Sequence, residues 1–496
     1  MISQIPFFVK MGQFSWIILV TQLLLFGSSW QWLSDAARVS GIHAATPKEA
    51  FRKPFLFNNL RHIDTPSSPF CRHNRTESHL SLWLRRDAAR LDVLRQRMQL
   101  PSASSDALDA AVKSNLAALD PAARSLPTAE VEAGNGFYPA HYIQLGVGTP
   151  PTSRLFLVDS TVALSWSICK PLCSDCDSAA ALNTEDSTSF EWSPCNTPYC
   201  HLPGYDTSCK NKHCNYETDT KDGLRMHGVL AKDTFHMDET KIQNVVFGCS
   251  AAHHSMAAEH DVGGVLGIGQ GKISLMHQLG MSVAFCLPPL QFFKNINNGA
   301  GDPVGFLGFG PYPLPPRTVL TPMLASHVVM HAHYVNLDGI SINGMDIPTP
   351  IDLLHADGSS GTIIDTSMAY TRLMPAVYEA LQATFQMATT HLTPAEPEDE
   401  FDTCFSFPGG FDANAIPTLQ MHFQHDGRFG GKILLPPANV MVQSRDTSVF
   451  CLAFARSPAN MAVNIIGATQ LAGFLVNLDT GNKIVGFAPE QCTQFF

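Results

Sequence analysis

The chain contains the same short pattern twice, and this duplication limits the folds that it can adopt. In the first half an apolar run over residues 155–158 ends in Asp159, and in the second half a run over 361–364 ends in Asp365; two hydroxyl residues follow each aspartate. Short apolar runs bounded by turn residues are typical of buried strands. One strand that ends in aspartate is common, because aspartate favours turns. Two such strands with matching surroundings predict two lobes that each bring one carboxylate to a shared cleft.

The surroundings of the two aspartates do match. Residues 142–146 precede the first aspartate and 334–339 precede the second, and both segments begin with tyrosine. An apolar pair and a glycine, at 265–267 and at 465–467, follow about 100 residues later in each half. From residue 142 onward the chain consists of short β-type runs separated by glycine and proline, which predicts an all-β body. One helical pattern stands out within it, at residues 374–389.

Length and composition exclude several classes of protein. At 496 residues the chain is too long for one hydrophobic core and fits two large lobes with additional segments. Apolar residues make up 45% and charged residues 15%, which argues against a disordered chain and against a nucleic-acid-binding protein.

Charge divides the chain into a basic segment and an acidic body. Residues 51–100 contain ten Lys and Arg against four Asp and Glu, whereas residues 101–496 contain 19 against 37. The apolar residues of the basic segment follow an amphipathic helical spacing: Leu80, Leu82, Leu84, Ala88, Leu91 and Leu94. We expect this segment to be held electrostatically against the body and later removed. The alternative is a solvated basic helix without a regulatory role.

The N-terminus predicts a secretory signal. Lys10 precedes an apolar stretch at 14–26 that is short for a membrane span. An uncleaved signal anchor is the alternative. We expect a protein of the secretory route, extracellular or vacuolar, without stable membrane association.

The predicted domain organisation is a signal peptide at 1–28, a propeptide and connector at 29–135, an N-terminal β lobe at 136–315 and a C-terminal β lobe at 316–496. A proline-rich break at 311–316 separates the two lobes.

Thirteen cysteines are present, seven of them within residues 169–214. In an oxidising compartment this spacing predicts a disulfide framework. Zinc is the rival explanation, since Cys173 and Cys176 form a CxxC and His213 precedes Cys214. No second CxxC or HxxxH stands at the spacing of a zinc finger, so we predict neither a metal nor a cofactor.

From residue 51 to near the end of the chain, a series of short motifs follows in order: 67–70 (SSPF), 84–87 (LRRD), 142–151 (YIQLGVGTPP), 158–159 (VD), 164–166 (LSW), the cysteine-rich insertion, 228–233 (GVLAKD), 247–249 (FGC), 264–269 (GVLGIG), 402–404 (DTC), 416–419 (IPTL), 450–454 (FCLAF), 464–467 (NIIG), 486–489 (GFAP) and Cys492. Together these motifs resemble a pepsin-fold aspartic protease of the plant nepenthesin-type branch.

The resemblance implies an all-β, bilobal fold with a few short helices, preceded by a signal and a propeptide. It implies an aspartic endopeptidase, made as a secreted zymogen and monomeric, that acts on polypeptides. Asp159 and Asp365 would be its catalytic pair, and Cys404 and Cys451 would form a disulfide. Two close carboxylates cannot both ionise, so they share a proton; aspartic proteases are the type example of this effect. The ionised acid then activates a water while the protonated acid polarises the peptide carbonyl.

The two catalytic turns depart from the family pattern of Asp-Thr/Ser-Gly followed by Ser or Thr. Ser160 and Thr366 keep the hydroxyl that joins each turn to the opposite lobe. Thr161 and Ser367 replace the glycine, and we expect their side chains to crowd the turn and to disturb the aim of its N–H group.

Val162 and Met368 stand where the family has a hydroxyl that donates to the carboxylate. Loss of donors to the charged form is expected to raise the pKa of both carboxylates.

The flap, which covers the substrate in this family, also departs from the pattern. Thr220 stands in the place of the family's tyrosine, ahead of Asp222 and Gly223, and Trp166 keeps its expected offset from the first aspartate. We assign these four residues to the flap and substrate-binding region. Tyr216 would replace the missing ring only awkwardly, because side chains alternate between the two faces of a strand.

Two functions remain open from the sequence. The first is an aspartic endopeptidase, supported by the presence of both aspartates. The second is a catalytically impaired pseudo-protease that binds peptides, a glycan or another enzyme in the same cleft, supported by the altered turns and flap. An acid glycosidase also needs two carboxylates, but nothing else in the sequence favours it.

Overall fold

A computed structural model describes residues 56–65, 68–69, 79–99, 141–173, 181–201, 206–219, 225–237, 240–251, 262–280, 282–288, 304–325, 328–356, 359–424 and 429–489. All of them fall within one compact unit, Phe55–Phe496. The predicted signal peptide and the connector at 101–135 lie outside the described residues.

Among its described residues, the basic segment contains one strand and one long helix, β1 (Leu56–His62) and α1 (His79–Gln99). The helix confirms the amphipathic spacing at the leucines, which are buried, whereas Ala88 is exposed. The strand was not predicted, because Asn58 and Asn59 interrupt its apolar pattern and asparagine is depleted in strands. Pairing with strands of the body therefore determines this conformation.

Among its described residues, the first half of the body contains twelve strands and a single-turn helix. In chain order they are β2 (His141–Val147), β3 (Thr152–Asp159), β4 (Trp166–Lys170), β5 (Leu182–Asn183), β6 (Glu191–Trp192), β7 (Asp206–Lys210), β8 (His213–Asp219), β9 (Arg225–Met237), β10 (Thr240–Ala251), β11 (Val262–Gly267), α2 (Leu275–Gln278), β12 (Ser282–Cys286) and β13 (Gly305–Phe309). Short 3-10 helices at Thr184–Asp186 and Pro198–His201 complete it.

The second half contains sixteen strands and three helices among its described residues. They are β14 (Val319–Leu324), β15 (His333–Val335), β16 (Leu337–Ile342), β17 (Met345–Asp346), β18 (Thr362–Ile364), β19 (Thr371–Leu373), α3 (Pro375–Ala388), β20 (Thr393–Ala395), β21 (Cys404–Ser406), β22 (Leu419–Phe423), β23 (Gly431–Leu435), α4 (Pro437–Val440), β24 (Met441–Gln443), β25 (Val449–Leu452), β26 (Phe454–Arg456), β27 (Asn464–Ile466), α5 (Ala468–Leu471), β28 (Phe474–Asp479) and β29 (Ile484–Pro489). Further 3-10 helices lie at Ile351–Leu353 and Ala413–Ala415.

Helix α3 confirms the helical pattern read at 374–389. Pro375 occupies its first turn, where the missing N–H costs nothing. Val377, Leu381 and Phe385 lie four residues apart and are buried, which fixes one apolar face against the second lobe.

The duplication predicted from the sequence appears as two equivalent strand arrangements. In the first lobe β3 runs parallel to β11, and in the second lobe β18 runs parallel to β27. Strands β4 and β19 each pair antiparallel with β11 and β27, respectively. Each half therefore presents one aspartate-bearing turn from the same set of strands.

A six-stranded antiparallel sheet joins the two halves. Its order is β1-β13-β12-β28-β29-β14, so strands from both halves and from the basic segment share it. Strand β1 also pairs with β2, as β14 pairs with β15. Strand β1 of the basic segment therefore has the same place in the first half as β14 has in the second half. The predicted two-lobed, mainly-β architecture is confirmed.

Disulfides cross-link the loops of both lobes, as the cysteine spacing predicts. Two of them, Cys195–Cys209 and Cys200–Cys214, tie the β7–β8 hairpin to the segment before it. Cys169–Cys249 joins two strands of the first lobe, and Cys404–Cys451 joins two strands of the second. Cys173 is also disulfide-bonded, so its sulfur is not free to act as a zinc thiolate.

Within the part of the chain that the structure describes, no helix has both the length and the apolar character that a membrane crossing requires.

Candidate active site

The two aspartates lie at the ends of buried strands in the middle of their lobes. Asp159 is the last residue of β3, and its carbonyl accepts a hydrogen bond from Ile268 N at 3.0 Å. Asp365 follows β18, and its N–H donates to Ile466 O at 3.1 Å. Both residues are at most 2% exposed. The neighbouring parallel strand therefore fixes the backbone of each turn.

The backbone N–H groups of both turns still point at the carboxylates. Thr161 N donates to Asp159 Oδ1 at 2.8 Å, and Ser367 N donates to Asp365 Oδ1 at 2.9 Å. Neither Thr161 nor Ser367 has a positive φ. The expectation that side chains at these positions would misdirect the N–H groups is wrong, because both residues adopt an ordinary backbone conformation.

A hydroxyl bridge connects the two turns across the lobes. Ser160 Oγ accepts hydrogen bonds from Thr366 N at 3.1 Å and from Thr366 Oγ1 at 3.3 Å, and donates to Ile364 O at 3.4 Å. The retained hydroxyls therefore lie where the resemblance places them, and they hold the turns in fixed relation.

Thr161 also replaces a donor that the sequence loses at Val162. Its Oγ1 donates to Asp159 Oδ1 at 2.9 Å, so Asp159 accepts two hydrogen bonds from its own turn. Ser367 does not do the same for Asp365, since its buried hydroxyl lacks a hydrogen-bond partner among the described residues. The two turns thus stabilise the charged carboxylate to different extents.

One arginine of the basic segment connects both carboxylates. Arg90 Nη1 and Nη2 donate to the two oxygens of Asp159, each at 2.9 Å. Its Nε donates to Asp365 Oδ2 at 2.7 Å and its Nη2 to Asp365 Oδ1 at 3.1 Å. Because Nη2 touches the Oδ1 atoms of both acids, those atoms are no more than 6.0 Å apart. The carboxylates of the two lobes therefore converge.

The charges at this contact shift the pKa values of the groups involved. Burial raises the pKa of Asp159, but the Arg90 charge and its hydrogen bonds, the Arg97 charge and the Thr161 N–H outweigh burial and lower it to about 2. Burial lowers the pKa of Arg90, and the two carboxylates more than offset this and raise it above its ordinary value. With Arg90 in place, the pKa rise that loss of hydroxyl donors predicts is reversed at Asp159.

Helix α1 covers both catalytic turns with further contacts. Arg97 Nη1 donates to Thr161 Oγ1 at 3.0 Å. Leu91 and Leu94 are buried in a cluster with residues of the second lobe: Val329, Ala332, Tyr334, Ile363, Met368, Met461, Val463 and Ile465. Met368, which stands where the family has a hydroxyl residue, is one of the apolar side chains that pack against the helix.

Asp87 forms a second polar anchor, one helical turn before Arg90. Its carboxylate accepts hydrogen bonds from Ala369 N at 2.6 Å and from Tyr370 N at 3.1 Å, and Arg372 Nη2 lies 3.5 Å from it. From the sequence, neither Asp87 nor Arg90 was assigned to the site, although Asp87 lies within the 84–87 motif. One face of the helix carries Asp87, Arg90, Leu94 and Arg97 at successive spacings of three, four and three residues, and this pattern was the available signal.

The flap residues Thr220, Asp222 and Gly223 lie outside the described residues. Tyr216 is 2% exposed and packs among apolar side chains under the hairpin, where Gly228 and Gly248 leave room for its ring. A side chain on Gly248 would meet the Tyr216 hydroxyl at 2.4 Å. Tyr216 therefore fills the interior of the lobe and not the cleft.

Trp166 is also buried, at 7% exposure, in a cluster with Tyr142, Leu157 and Val265. Ile63 of the basic segment packs in the same cluster. The structure therefore places Trp166 beside the basic segment.

Among the described residues, no group of three or more His, Cys, Asp or Glu side chains is arranged to hold a metal ion.

Comparisons with known proteins place this site in a family. Two family models match, one described as "Xylanase inhibitor N-terminal" at residues 141–310 and one as "Xylanase inhibitor C-terminal" at 332–489. Protein ASPARTIC PROTEASE IN GUARD CELL 2 of Arabidopsis thaliana is 31% identical over 370 residues, covering 73% of this chain and 74% of its own. Aspartic proteinase nepenthesin-2 of Nepenthes gracilis is 29% identical over 369 residues, covering 73% and 79%. The chain belongs to the pepsin-like aspartic protease family.

Solved structures show the same fold at lower identity. The crystal structure of edgp matches with a TM-score of 0.57 at 20% identity, covering 72% of this chain and 92% of that one. Basic 7S globulin from soybean matches with a TM-score of 0.55 at 21% identity, covering 72% and 95%. The bilobal pepsin-like fold predicted from the sequence is thereby confirmed.

Proposed function

We propose that the chain is the zymogen of an aspartic endopeptidase in which Asp159 and Asp365 hydrolyse peptide bonds with an activated water. The observation that supports this most directly is the convergence of two buried carboxylates, one from each lobe, on a single guanidinium. Each carboxylate also keeps its backbone N–H donor. The proposed dyad is thus assembled in spite of the altered turn sequences.

The unequal turns suggest how the two acids divide their roles once Arg90 has left. Close carboxylates share one proton, and the apparent pKa values belong to the pair. Asp159 accepts two hydrogen bonds from its turn and Asp365 accepts one, which favours the ionised form of Asp159. In this proposal Asp159 takes the proton from water, and protonated Asp365 polarises the scissile carbonyl.

In the described form the prosegment occupies the site. Arg90 donates a hydrogen bond to each of the four carboxylate oxygens of Asp159 and Asp365, and helix α1 packs on both turns. A water cannot bridge the carboxylates until this helix leaves, so we propose that activity requires removal of the basic segment. The disulfides of both lobes fit a secreted protein, extracellular or vacuolar.

The test uses the full chain at pH 3–6. We expect loss of the prosegment, followed by digestion of a denatured protein, and we expect neither in the Asp159→Asn and Asp365→Asn variants. Denatured protein that stays intact at every pH, or cleavage that both variants preserve, would refute the protease.

A catalytically impaired binding or inhibitor protein is the second candidate function. The observation in its favour is the apolar character of Val162 and Met368, together with a Ser367 hydroxyl that makes no hydrogen bond to a described residue. The matching family models are also described as xylanase inhibitors. Absence of cleavage combined with saturable binding of a peptide, a glycan or a glycoside hydrolase would favour this candidate.

A further inference from the structure

The pocket that receives Asp87 is built by the body of the protein. Ala369, Tyr370 and Arg372 all belong to the segment that directly follows the second catalytic turn, and Asp87 alone comes from helix α1. The two N–H groups and the guanidinium converge on one carboxyl group that is fully buried. Each of these three groups is a donor, so the pocket matches an acceptor with two oxygens.

Removal of the prosegment takes the acceptor away and leaves the donors behind. Arg372 is fully buried, and Glu400 is its other ionic partner. Its Nε has no hydrogen-bond partner among the described residues, and neither has the buried hydroxyl of Tyr370. Once helix α1 leaves, these donors face the opened cleft, where a ligand group with two acceptor oxygens can take the place of the Asp87 carboxyl group.

We propose that this pocket is a carboxyl-recognising subsite of the opened cleft and that it binds an aspartate or glutamate side chain of a peptide. Asp87 then acts as an internal stand-in for that side chain. The inference rests on the proposed function in taking a peptide as the ligand, and it adds the chemical class of that peptide.

The distance between Asp87 and Arg90 locates the subsite relative to the dyad. Three residues of a helix rise about 4.5 Å along its axis. An extended peptide advances about 3.3 Å per residue, so the acidic side chain belongs within roughly two residues of the scissile bond.

The pocket is expected to reject an amide side chain because all of its polar groups are hydrogen-bond donors. An asparagine or glutamine side chain offers one oxygen, and its NH2 group would face the N–H groups or the guanidinium. Burial and the nearby Glu400 disfavour a charged acid, while Arg372 and the two N–H groups favour it; burial dominates and raises the pKa of Asp87 to about 7. The acetate experiment is therefore set at pH 8, where the bound carboxyl group is ionised and accepts at both oxygens, and the cleavage experiment at pH 6, where departure of the helix has opened the pocket to water and the burial that raises this pKa is relieved.

The first experiment uses the full chain with Asp87→Ala, which empties the pocket. We expect 100 mM acetate to raise the Tm of this variant saturably by at least about 2 °C, and acetamide to leave it unchanged. Asp92→Ala is the matched control, because Asp92 lies exposed on the same helix and pairs with Arg95. Asp87→Ser serves if the alanine variant does not fold. Equal effects of acetate and acetamide, or an acetate effect retained with Arg372→Met, would overturn the proposal.

The second experiment measures cleavage after self-processing of the full chain. Peptide pairs carry Asp or Asn at each of two positions on either side of the scissile bond. We expect a preference of at least about tenfold in kcat/KM for Asp over Asn at one position, and we expect Arg372→Met to reduce this preference to within about threefold. No preference at any position, or a preference unchanged in Arg372→Met, would overturn the subsite. If no peptide is cleaved, the proposed function fails, and the acetate experiment still decides the pocket.

Discussion

Replacing Arg90 with methionine tests how strongly one side chain holds the prosegment in the site. Methionine keeps an unbranched apolar stem and removes the guanidinium. Both carboxylates would then stay buried beneath the helix without the cation that pairs with each of them, and Arg97 would act on Asp159 only through its more distant charge. Removing one partner of a buried ion pair costs about 3–5 kcal/mol.

We expect the free-energy cost of Arg90→Met to lie toward the lower end of that range. Without Arg90 the two acids can share a proton, which relieves part of the cost. About 3 kcal/mol corresponds to a factor of roughly 150 in an equilibrium constant. We therefore expect helix α1 to open about 150 times more often in the Arg90→Met variant.

Amide hydrogen exchange of helix α1 at pH 7, followed by mass spectrometry, measures this opening. Arg95→Met is the matched control, since Arg95 lies on the same helix, is 34% exposed and pairs with Asp92. An exposed pair of this kind contributes little, so the control should exchange like the unaltered chain. Equal exchange in the Arg90→Met variant and the unaltered chain would refute the reasoning, and so would an equal rise in both variants.

Three further predictions follow from the site and the disulfides. Thr161→Val removes the hydroxyl that donates to Asp159. We expect this variant to lose up to about tenfold in activity and the acid limb of its pH profile to move to higher pH, while Thr161→Ser behaves like the unaltered enzyme. Identical pH profiles for the two variants would contradict this role of the hydroxyl. The lowered pKa of Asp159 gives stability that is present above pH 4 and lost as pH falls through about 2, whereas the raised pKa of Asp87 gives stability that is present below pH 4 and lost as pH rises through about 7. The Tm of the Asp87→Asn variant should therefore rise relative to that of the full chain as pH increases from 5 to 8, and a difference between the two Tm values that stays constant over this range would contradict this. Replacing Cys404 and Cys451 by alanine should lower the free energy of unfolding in urea by about 2–4 kcal/mol, because the disulfide links residues that are 47 apart in the chain. An unchanged urea midpoint would show that this disulfide does not stabilise the fold.

The sequence predicted those parts of the fold that local pattern determines. The two apolar runs that end in Asp159 and Asp365 were visible because each strand is short, buried and followed by hydroxyl residues. Helix α3 was visible because its apolar residues recur at helical spacing and a proline begins it. Strand β1 was not visible, because its conformation depends on pairing with β2 and β13 across the chain.

The details of the site depended on three-dimensional contacts that spacing does not reveal. The sequence predicted that Thr161 would disturb its turn, yet its side chain supplies a hydroxyl to Asp159. A composition of many arginines predicted a basic segment against an acidic body, but it did not select Arg90 among them. Asp87 was hidden for the same reason, since an acidic residue in a basic helix reads as an ordinary surface residue until its burial is known.

The central claim is that Asp159 and Asp365 act as one catalytic unit, and a double-mutant comparison of self-processing tests it most directly. The rate of prosegment loss from the full chain is followed at pH 4 by intact mass for Asp159→Asn, Asp365→Asn and the double variant. When two residues act as one catalytic unit, removing either one abolishes the contribution of both. We therefore predict that each single change lowers the rate by at least about 1,000-fold and that the double change lowers it no further. A single variant that processes at the unaltered rate, or two losses that multiply in the double variant, would contradict the claim.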